Sequence, residues 1–250
     1  MNRTSAISAV FAPPQLGQEQ AHVWHVHLEK FAGEESHWNN LLSTEEQQRA
    51  ARFRFPRDRS RYTLTRALLR TLLAGYLETD PASLSFCYSE HGKPALTGAH
   101  EGSDLQFNVS HSDGVALFGI TRNRAIGVDV ERVRHDFEVV TIAQRFFSPA
   151  EQRSFNSVSP AQQHRAFFDC WTRKEAYVKA LGEGLSHPLH QFDVSLVAGE
   201  PARLIATRPN PEEAGLWTMI APDVGAGYAA AAIAKASSLE IKSWELPKFA

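Results

Sequence analysis

The chain of 250 residues is 43% apolar and 22% charged, with a formal net charge of −2, and is long enough to bury one large core or two smaller ones. That composition compels no part of the chain towards disorder, and the near-neutral charge argues against a general attraction to nucleic acid. No apolar run reaches the roughly 18 residues of a membrane span, and the only cysteines, Cys87 and Cys170, lie in aromatic surroundings that point to core thiols rather than a disulfide framework or metal clamp.

The opening MNRTSAISAVFAPPQ has one early arginine and an apolar stretch broken by serines. It falls short of a secretory signal, so a cytoplasmic protein is expected. AHVWHVHLEK, residues 21–30, alternates as a strand does, placing Val23, His25 and His27 on one face. Histidines on a wet strand face are commoner than histidine ligands. STEEQQRAARFRF opens as a helix, with Ser43 or Thr44 to cap and Glu45 and Glu46 in the first turn. A second helix is expected from about Arg59 to Leu77, where Leu64, Leu68, Leu72 and Tyr76 form a buried stripe.

Strand-like runs follow at Leu84 to Tyr88, Leu105 to Val109, Val115 to Thr121 and Ile126 to Val130, separated by HGKP, SHSDG and TRNR turns. FFSPAEQRSF carries a second capping pattern at Ser148, Pro149 and Glu151. A long helix is expected from about Gln162 to Leu181, then strands at Phe192 to Val197, Ala202 to Ala206, Trp217 to Ile220 and Gly227 to Ala234. Both halves thus pass through helices before strands. The reading is an α+β fold, a pseudo-dimer of two similar α/β subdomains, 1–125 and 126–250, with a ligand cleft between them, although no clear residue-level repeat is visible.

Three stretches carry candidate chemistry. In IGVDVE, residues 126–131, Asp129 and Glu131 share one strand face, which suits either a half-exposed strand or a metal or acid/base site. In WTRKEAYVKALGEGL, Glu175 falls on the face of Phe168, Trp171 and Val178. A carboxylate there needs a partner, and Lys179 or a cation shared with Asp129 and Glu131 would serve. RAARFRFPRDRSRYTLTRALLR, residues 49–70, has eight arginines; phosphate or RNA would suit it, but by itself it reads first as a solvated helix face. Lys93 in HGKPAL, and Ser110 and His111 in FNVSHS, are also compatible with phosphate. No GxSxG elbow, GxxxxGK[ST] loop or HExxH helix occurs, so serine hydrolase, P-loop and zincin chemistry are disfavoured.

Taken together, GKPAL, FNVSHS, IGVDVE, RFFSPAE and WTRKEAYVKALGEGL, in this order and spacing, resemble the Sfp-type (surfactin-synthetase-activating) 4'-phosphopantetheinyl transferases. The likeness runs from about Leu42 to Leu189. It implies a monomeric pseudo-dimer that binds coenzyme A and Mg²⁺ in its cleft and moves 4'-phosphopantetheine onto a serine of an apo acyl or peptidyl carrier protein, releasing 3',5'-ADP. By position, it implies that Asp129, Glu131 and Glu175 are the acidic metal triad; the semi-buried helix position of Glu175 makes it the expected general base, directly or through a metal-associated water. Arg49, Arg61, Gly92, Lys93, Pro94, Ser110, His111 and Lys179 are the implied coenzyme A contacts, while Glu46 stands where some relatives have a lysine. Neither nucleic acid nor membrane is an implied partner. The competing readings are a non-catalytic coenzyme A or nucleotide-binding module, a metal-dependent phosphodiesterase and an RNA-binding protein.

Overall fold

The computed structural model describes residues 11–33, 35–184, 187–208 and 210–248; the first ten residues of the opening segment lie outside them. The first half runs β1 (Gln20–His27), α1 (Glu35–Asn40), α2 (Thr44–Ala51), α3 (Pro56–Leu77), β2 (Ser85–Tyr88), β3 (Pro94–Thr97), β4 (Leu105–Ser112) and β5 (Val115–Arg122). The second runs β6 (Ile126–Arg132), α4 (Val139–Phe146), α5 (Pro149–Ser157), α6 (Pro160–Leu181), β7 (Phe192–Val194), β8 (Leu204–Thr207), β9 (Trp217–Ile220), β10 (Tyr228–Lys235) and β11 (Glu240–Glu245).

Two sheets form the centre, ordered β11-β1-β5-β4 and β6-β10-β9, with β2-β3 and β7-β8 as separate hairpins. The strands' two-residue period sorts their side chains into layers. Trp24, Val26, Phe118 and Ile120 face α3 and its Leu64, Leu68 and Leu72. Val23, Val115 and Leu117 turn the other way and meet Val128, Val130, Ala230 and Ala232 of the second sheet. Ala229, Ala231 and Ile233, the alternate set on β10, pack against Phe167, Tyr177 and Val178 of α6. The layers are therefore helix, sheet, sheet, helix.

A residue-level repeat emerges from the hydrogen bonds, carried in the sequence by Ser-x-x-Glu-Gln at Ser43 and again at Ser148. Ser43 and Glu46 close a capping box at the start of α2, as Ser148 and Glu151 do at α5. The Gln47 side-chain amide donates to the carbonyls of Asn39 and Leu42, and that of Gln152 donates to Gln144 and Phe147. Each boxed glutamate then reaches the long helix of its own half. Glu46 accepts from Arg66 Nε at 2.8 Å and from Arg70 Nε at 2.8 Å, while Glu151 lies 2.8 Å from Lys174 Nζ. Strand pairing repeats as well, with β1-β5-β4 answered by β6-β10-β9.

The halves differ at one edge. The outer edge of β1 is covered by β11, which returns across the expected 125/126 division to pair in parallel, Trp24 opposite Trp244. Trp244 stacks on Trp24 at 4.8 Å and meets the His22 ring edge-on. In the second sheet β6 is the edge strand, and its backbone is met instead by side chains of β4. Asn108 Oδ1 accepts from Val128 N at 3.0 Å, Ser110 Oγ from Val130 N at 3.4 Å and Ser112 Oγ from Arg132 N at 3.1 Å.

Several expectations are corrected. Cys170 is buried but Cys87 is exposed on β2, because a strand of a small two-stranded hairpin has one uncovered face. Strands β3 and β11, and helices α1 and α4, span eight residues or fewer and were not expected from the sequence. The arginine tract is not one solvated face: Arg66 and Arg70 are buried on Glu46. Glu46 is thus committed inward, and the tract divides into a structural end and an exposed end.

Two glycines let β6 be gripped from both sides. A Cβ on Gly127 would lie 1.9 Å from the Ala176 carbonyl oxygen and 2.5 Å from Ala180 N; one on Gly119 of β5 would lie 2.6 Å from Val128 Cγ1. Replacing Gly127 by alanine must therefore push α6 away from β6, since the obstructing atoms are backbone. A loss of at least about 1–3 kcal/mol of stability is expected, together with loss of whatever activity needs α6 and β6 in register, read by a thermal melt beside an activity assay.

For Glu46, burial opposes ionisation, yet Arg66, the Ser43 N–H and Arg70 hold its pKa below the usual value. Glu46→Gln leaves two buried guanidinium groups uncompensated and should cost about 3–5 kcal/mol, seen as a lower urea midpoint at pH 7. A carboxylate whose folded pKa is depressed stabilises above its unfolded pKa, and that contribution fades as pH falls through the folded value. The difference between parent and variant should accordingly narrow as the titration is carried from neutrality below the ordinary carboxylate range.

Candidate active site

The seam between β4 and β6 continues into the acidic cluster. Because β6 side chains alternate, Gly127, Asp129 and Glu131 share the face turned to α6, while Val128 and Val130 enter the core between the sheets. The serines of β4 use both capacities of their hydroxyls. Ser110 donates to Asp129 Oδ1 at 2.8 Å while accepting from Val130 N, and Ser112 donates to Glu131 Oε2 at 2.7 Å while accepting from Arg132 N. Lys179 reaches across from α6, its Nζ 2.6 Å from Asp129 Oδ1 and 3.0 Å from Ser110 Oγ. The sequence offered Lys179 as a partner for Glu175; the structure gives it to Asp129 instead.

Glu175 is left with little compensation. Its residue is 9% exposed, and Glu175 Oε1 and Asp129 Oδ2 are both buried without a hydrogen-bond partner. Burial and then the charge of Asp129 push Glu175 up to about 7, with Lys179 opposing. Burial also raises Glu131, against the Ser112 hydrogen bond and with help from Asp129. The three carboxylates thus lie within one another's field. Among the described residues no three His, Cys, Asp or Glu side chains are grouped tightly enough to hold a metal ion by themselves. What the cluster offers is two open, hard oxygen donors on facing elements, which suits a divalent cation that takes its remaining ligands from water or substrate.

The other expected residues form a rim. Arg61 bonds Asp113 at 2.9 Å and, with Ser112, Glu131, Arg132 and Arg134, lines a cavity of about 380 Å³ beside the cluster. His111 opens to solvent, but crowding of its ring by protein, then Lys179 and Arg61, lowers its pKa. Arg49 is exposed on α2 with its guanidinium 5.6 Å from the Tyr62 ring centroid. Gly92 and Pro94 flank Lys93 in the β2–β3 turn, and Lys93 does not enter the cluster: its Nζ donates to the Lys179 carbonyl at 2.8 Å. His25 and His27 stand 6.4 Å apart, ring to ring, outside the acidic cluster.

Sequence reasoning missed Asn108, Ser112, Arg132 and Arg134. A signal existed for the first two: Gln106, Asn108, Ser110 and Ser112 are polar at every second position of β4, which puts Asn108 and Ser112 on the same strand face as the expected Ser110. Ser110 gives its proton to Asp129 rather than to His111, in keeping with the sequence-based argument against a serine hydrolase.

Comparison with known proteins bears on what this cluster does. A family profile for the 4'-phosphopantetheinyl transferase superfamily matches residues 125–233, and one for the N-terminal part of 4'-phosphopantetheinyl transferases matches residues 29–120. The 4'-phosphopantetheinyl transferase HetI of Nostoc sp. is 38% identical over 194 residues, 77% of this chain and 81% of that protein. A 4'-phosphopantetheinyl transferase of Bacillus subtilis is 36% identical, covering 66% of this chain and 71% of its own. The 4'-phosphopantetheinyl transferase Sfp of Bacillus subtilis is 29% identical over 65% of this chain and 70% of its own. With both halves matched in order, and with the likeness spanning the seam that joins them, the chain belongs to the 4'-phosphopantetheinyl transferases, enzymes that transfer phosphopantetheine from coenzyme A to carrier proteins.

Proposed function

We propose that the transfer takes place at the β6–α6 cluster, with Asp129, Glu131 and Glu175 as the ligands of a Mg²⁺ ion and Glu175 as the base that deprotonates the carrier serine. The observation that carries this reading is the pair of buried oxygens without partners, Asp129 Oδ2 and Glu175 Oε1. Buried carboxylate oxygens are costly to leave open, and a cation or a proton donor repays that cost. When bound, Mg²⁺ supplies positive charge to the diphosphate oxygens of coenzyme A, where charge builds as the linkage breaks.

The chain's own residues do the rest. Lys179 holds an ammonium at the same cluster, and Arg61, Arg132 and Arg134 line the adjoining cavity, so phosphate oxygens meet fixed cations on two sides. Arg49 and His111 are assigned to the phosphates further out, and the Gly92–Pro94 turn to the wall of the cleft. Ser110 and Ser112 fix the rotamers of Asp129 and Glu131 through their hydroxyls. Glu175 accepts the proton of the incoming serine hydroxyl. The serine oxygen then forms a bond to the phosphorus bearing pantetheine, the bond from that phosphorus to the bridging oxygen breaks, and 3',5'-ADP leaves with the electron pair.

The acceptor is assigned as an apo acyl or peptidyl carrier protein. Monomeric action in the cytoplasm is part of the same proposal. One chain supplies both walls of the cleft, which supports the monomer, and no helix among the described residues is long and apolar enough to cross a membrane.

Intact-mass spectrometry of an apo carrier protein incubated with the enzyme, coenzyme A and Mg²⁺ should show the gain of one phosphopantetheine, abolished by EDTA and restored by excess Mg²⁺; a gain indifferent to EDTA would remove the metal from the scheme. Glu175→Gln should lower turnover by about 10²–10⁴-fold, the range for loss of a general base, while calorimetry shows coenzyme A still bound. Unchanged turnover would take the base role away from Glu175.

A further inference from the structure

The hairpin turn that carries Lys93 belongs to the first half, yet its side chain ends at the last turn of α6 in the second. An α-helix leaves its final carbonyls without intrahelical donors. In α6 the Val178 carbonyl is taken by Gly182 N at 3.0 Å, in the left-handed turn that closes the helix. The next two are taken by Lys93, whose Nζ lies 2.8 Å from the Lys179 oxygen and 3.4 Å from the Ala180 oxygen. A cation at this end also meets the negative pole of the helix.

The turn is built to hold that lysine still. Ser89 N donates to the Lys93 carbonyl at 3.0 Å, Gly92 N to the Ser89 carbonyl at 2.8 Å, and Lys93 N to Ser89 Oγ at 3.1 Å. A second contact lies beside it: Gly184, at φ +62°, leaves room for the His91 ring, which a Cβ there would approach to 2.9 Å. The hairpin therefore grips the end of α6 at two points. Lys179, whose ammonium bridges Ser110 and Asp129, sits on the very residue whose carbonyl Lys93 holds.

We infer that Lys93 is a positioning residue, a helix cap supplied across the two halves that fixes the last turn of α6 and so sets Lys179, and one turn earlier Glu175, against Asp129. Its role is in the geometry of the transfer step rather than in holding coenzyme A phosphates. The inference rests on the reading of the β6–α6 cluster as the transfer site, but its mechanical part, the hold on α6, is independent of which carboxylate acts as base.

The test uses the full-length enzyme with Lys93→Met and Lys93→Arg. Amide hydrogen exchange over residues 178–184, coenzyme A affinity by calorimetry, and kcat and KM for carrier modification are measured on each. For Lys93→Met, exchange at the end of α6 should accelerate and kcat should fall by about tenfold or more, with coenzyme A affinity within about threefold of the parent. Lys93→Arg, which can donate to the same carbonyls, should recover a large part of both the protection and kcat. A loss of coenzyme A affinity of more than about tenfold in Lys93→Met, whatever the exchange shows, overturns the inference and makes Lys93 a direct phosphate contact. Unchanged exchange overturns it as well, and so does unchanged kcat in an enzyme whose Glu175→Gln variant has lost turnover. If Lys93→Met does not fold, Lys93→Arg carries the same criteria, with parent-like exchange and kcat expected. Should the site lie elsewhere, the exchange result would stand while kcat stayed level, which separates the two failures.

Discussion

Everything at the centre of this enzyme depends on how the edge of β6 is satisfied. A strand edge presents backbone N–H groups that must find acceptors or face water. On β6, three of them are met by the side chains of Asn108, Ser110 and Ser112 rather than by another strand. A side-chain amide or hydroxyl is bulkier than a backbone carbonyl, so the seam holds the two sheets together without fusing them into one. Serine can also donate while it accepts, and that second capacity is spent on Asp129 and Glu131. The joint between the halves and the orientation of the acids are thus one set of hydrogen bonds. A change at Ser110 cannot alter one without the other.

The repeat explains why the acidic cluster appears once and not twice. Both halves have the boxed glutamate, the amide-to-carbonyl brace and the long helix on a three-strand core. In the first half, β11 adds itself to the open edge of β1 and brings Trp244 down on Trp24 and His22. An edge occupied by a strand has no room for a ligand. In the second half the corresponding edge meets serines and a cavity lined by arginines. The division of labour between two similar folds comes from which edge is closed.

Much of this was legible in the sequence, and what was not has definite causes. The long helices, both capping boxes and the paired acids of IGVDVE follow from local rules: periodicity, Ser-x-x-Glu spacing and strand alternation. Cross-half contacts obey no local rule. Lys93 reads as a basic turn residue until the end of α6 is found beneath it, and Gly127 reads as a weak point in a strand until Ala176 is found against it. Glu46 stands in the sequence as a departure from a lysine pattern, and its burial with Arg66 and Arg70 follows only once α2 is seen to turn that face inward. The repeat is carried in the sequence only by Ser-x-x-Glu-Gln at Ser43 and Ser148, a pattern too short to stand out; beyond it only the roles are kept, with arginines serving Glu46 and a lysine serving Glu151.

Three buried glutamates on this repeated frame form a graded series. Glu46 has two arginines, and although burial works against it, its pKa is held below the ordinary value. Glu151 has one lysine, and burial raises its pKa despite that partner and two backbone N–H donors. Glu175 has neither a bonded cation nor a donor on Oε1, and burial followed by Asp129 carries it to about 7. The same side chain in three buried settings thus changes its proton affinity with the positive charge placed beside it. Where the glutamate holds a helix to its neighbour, the fold supplies that charge. At Glu175 the nearest ammonium, Lys179, is turned to Asp129, and the carboxylate is left able to bind a cation or take a proton. A fold meant only to be stable would have closed that gap as it did at Glu46; leaving it open costs stability and keeps an unpartnered carboxylate oxygen at the seam where the two halves meet.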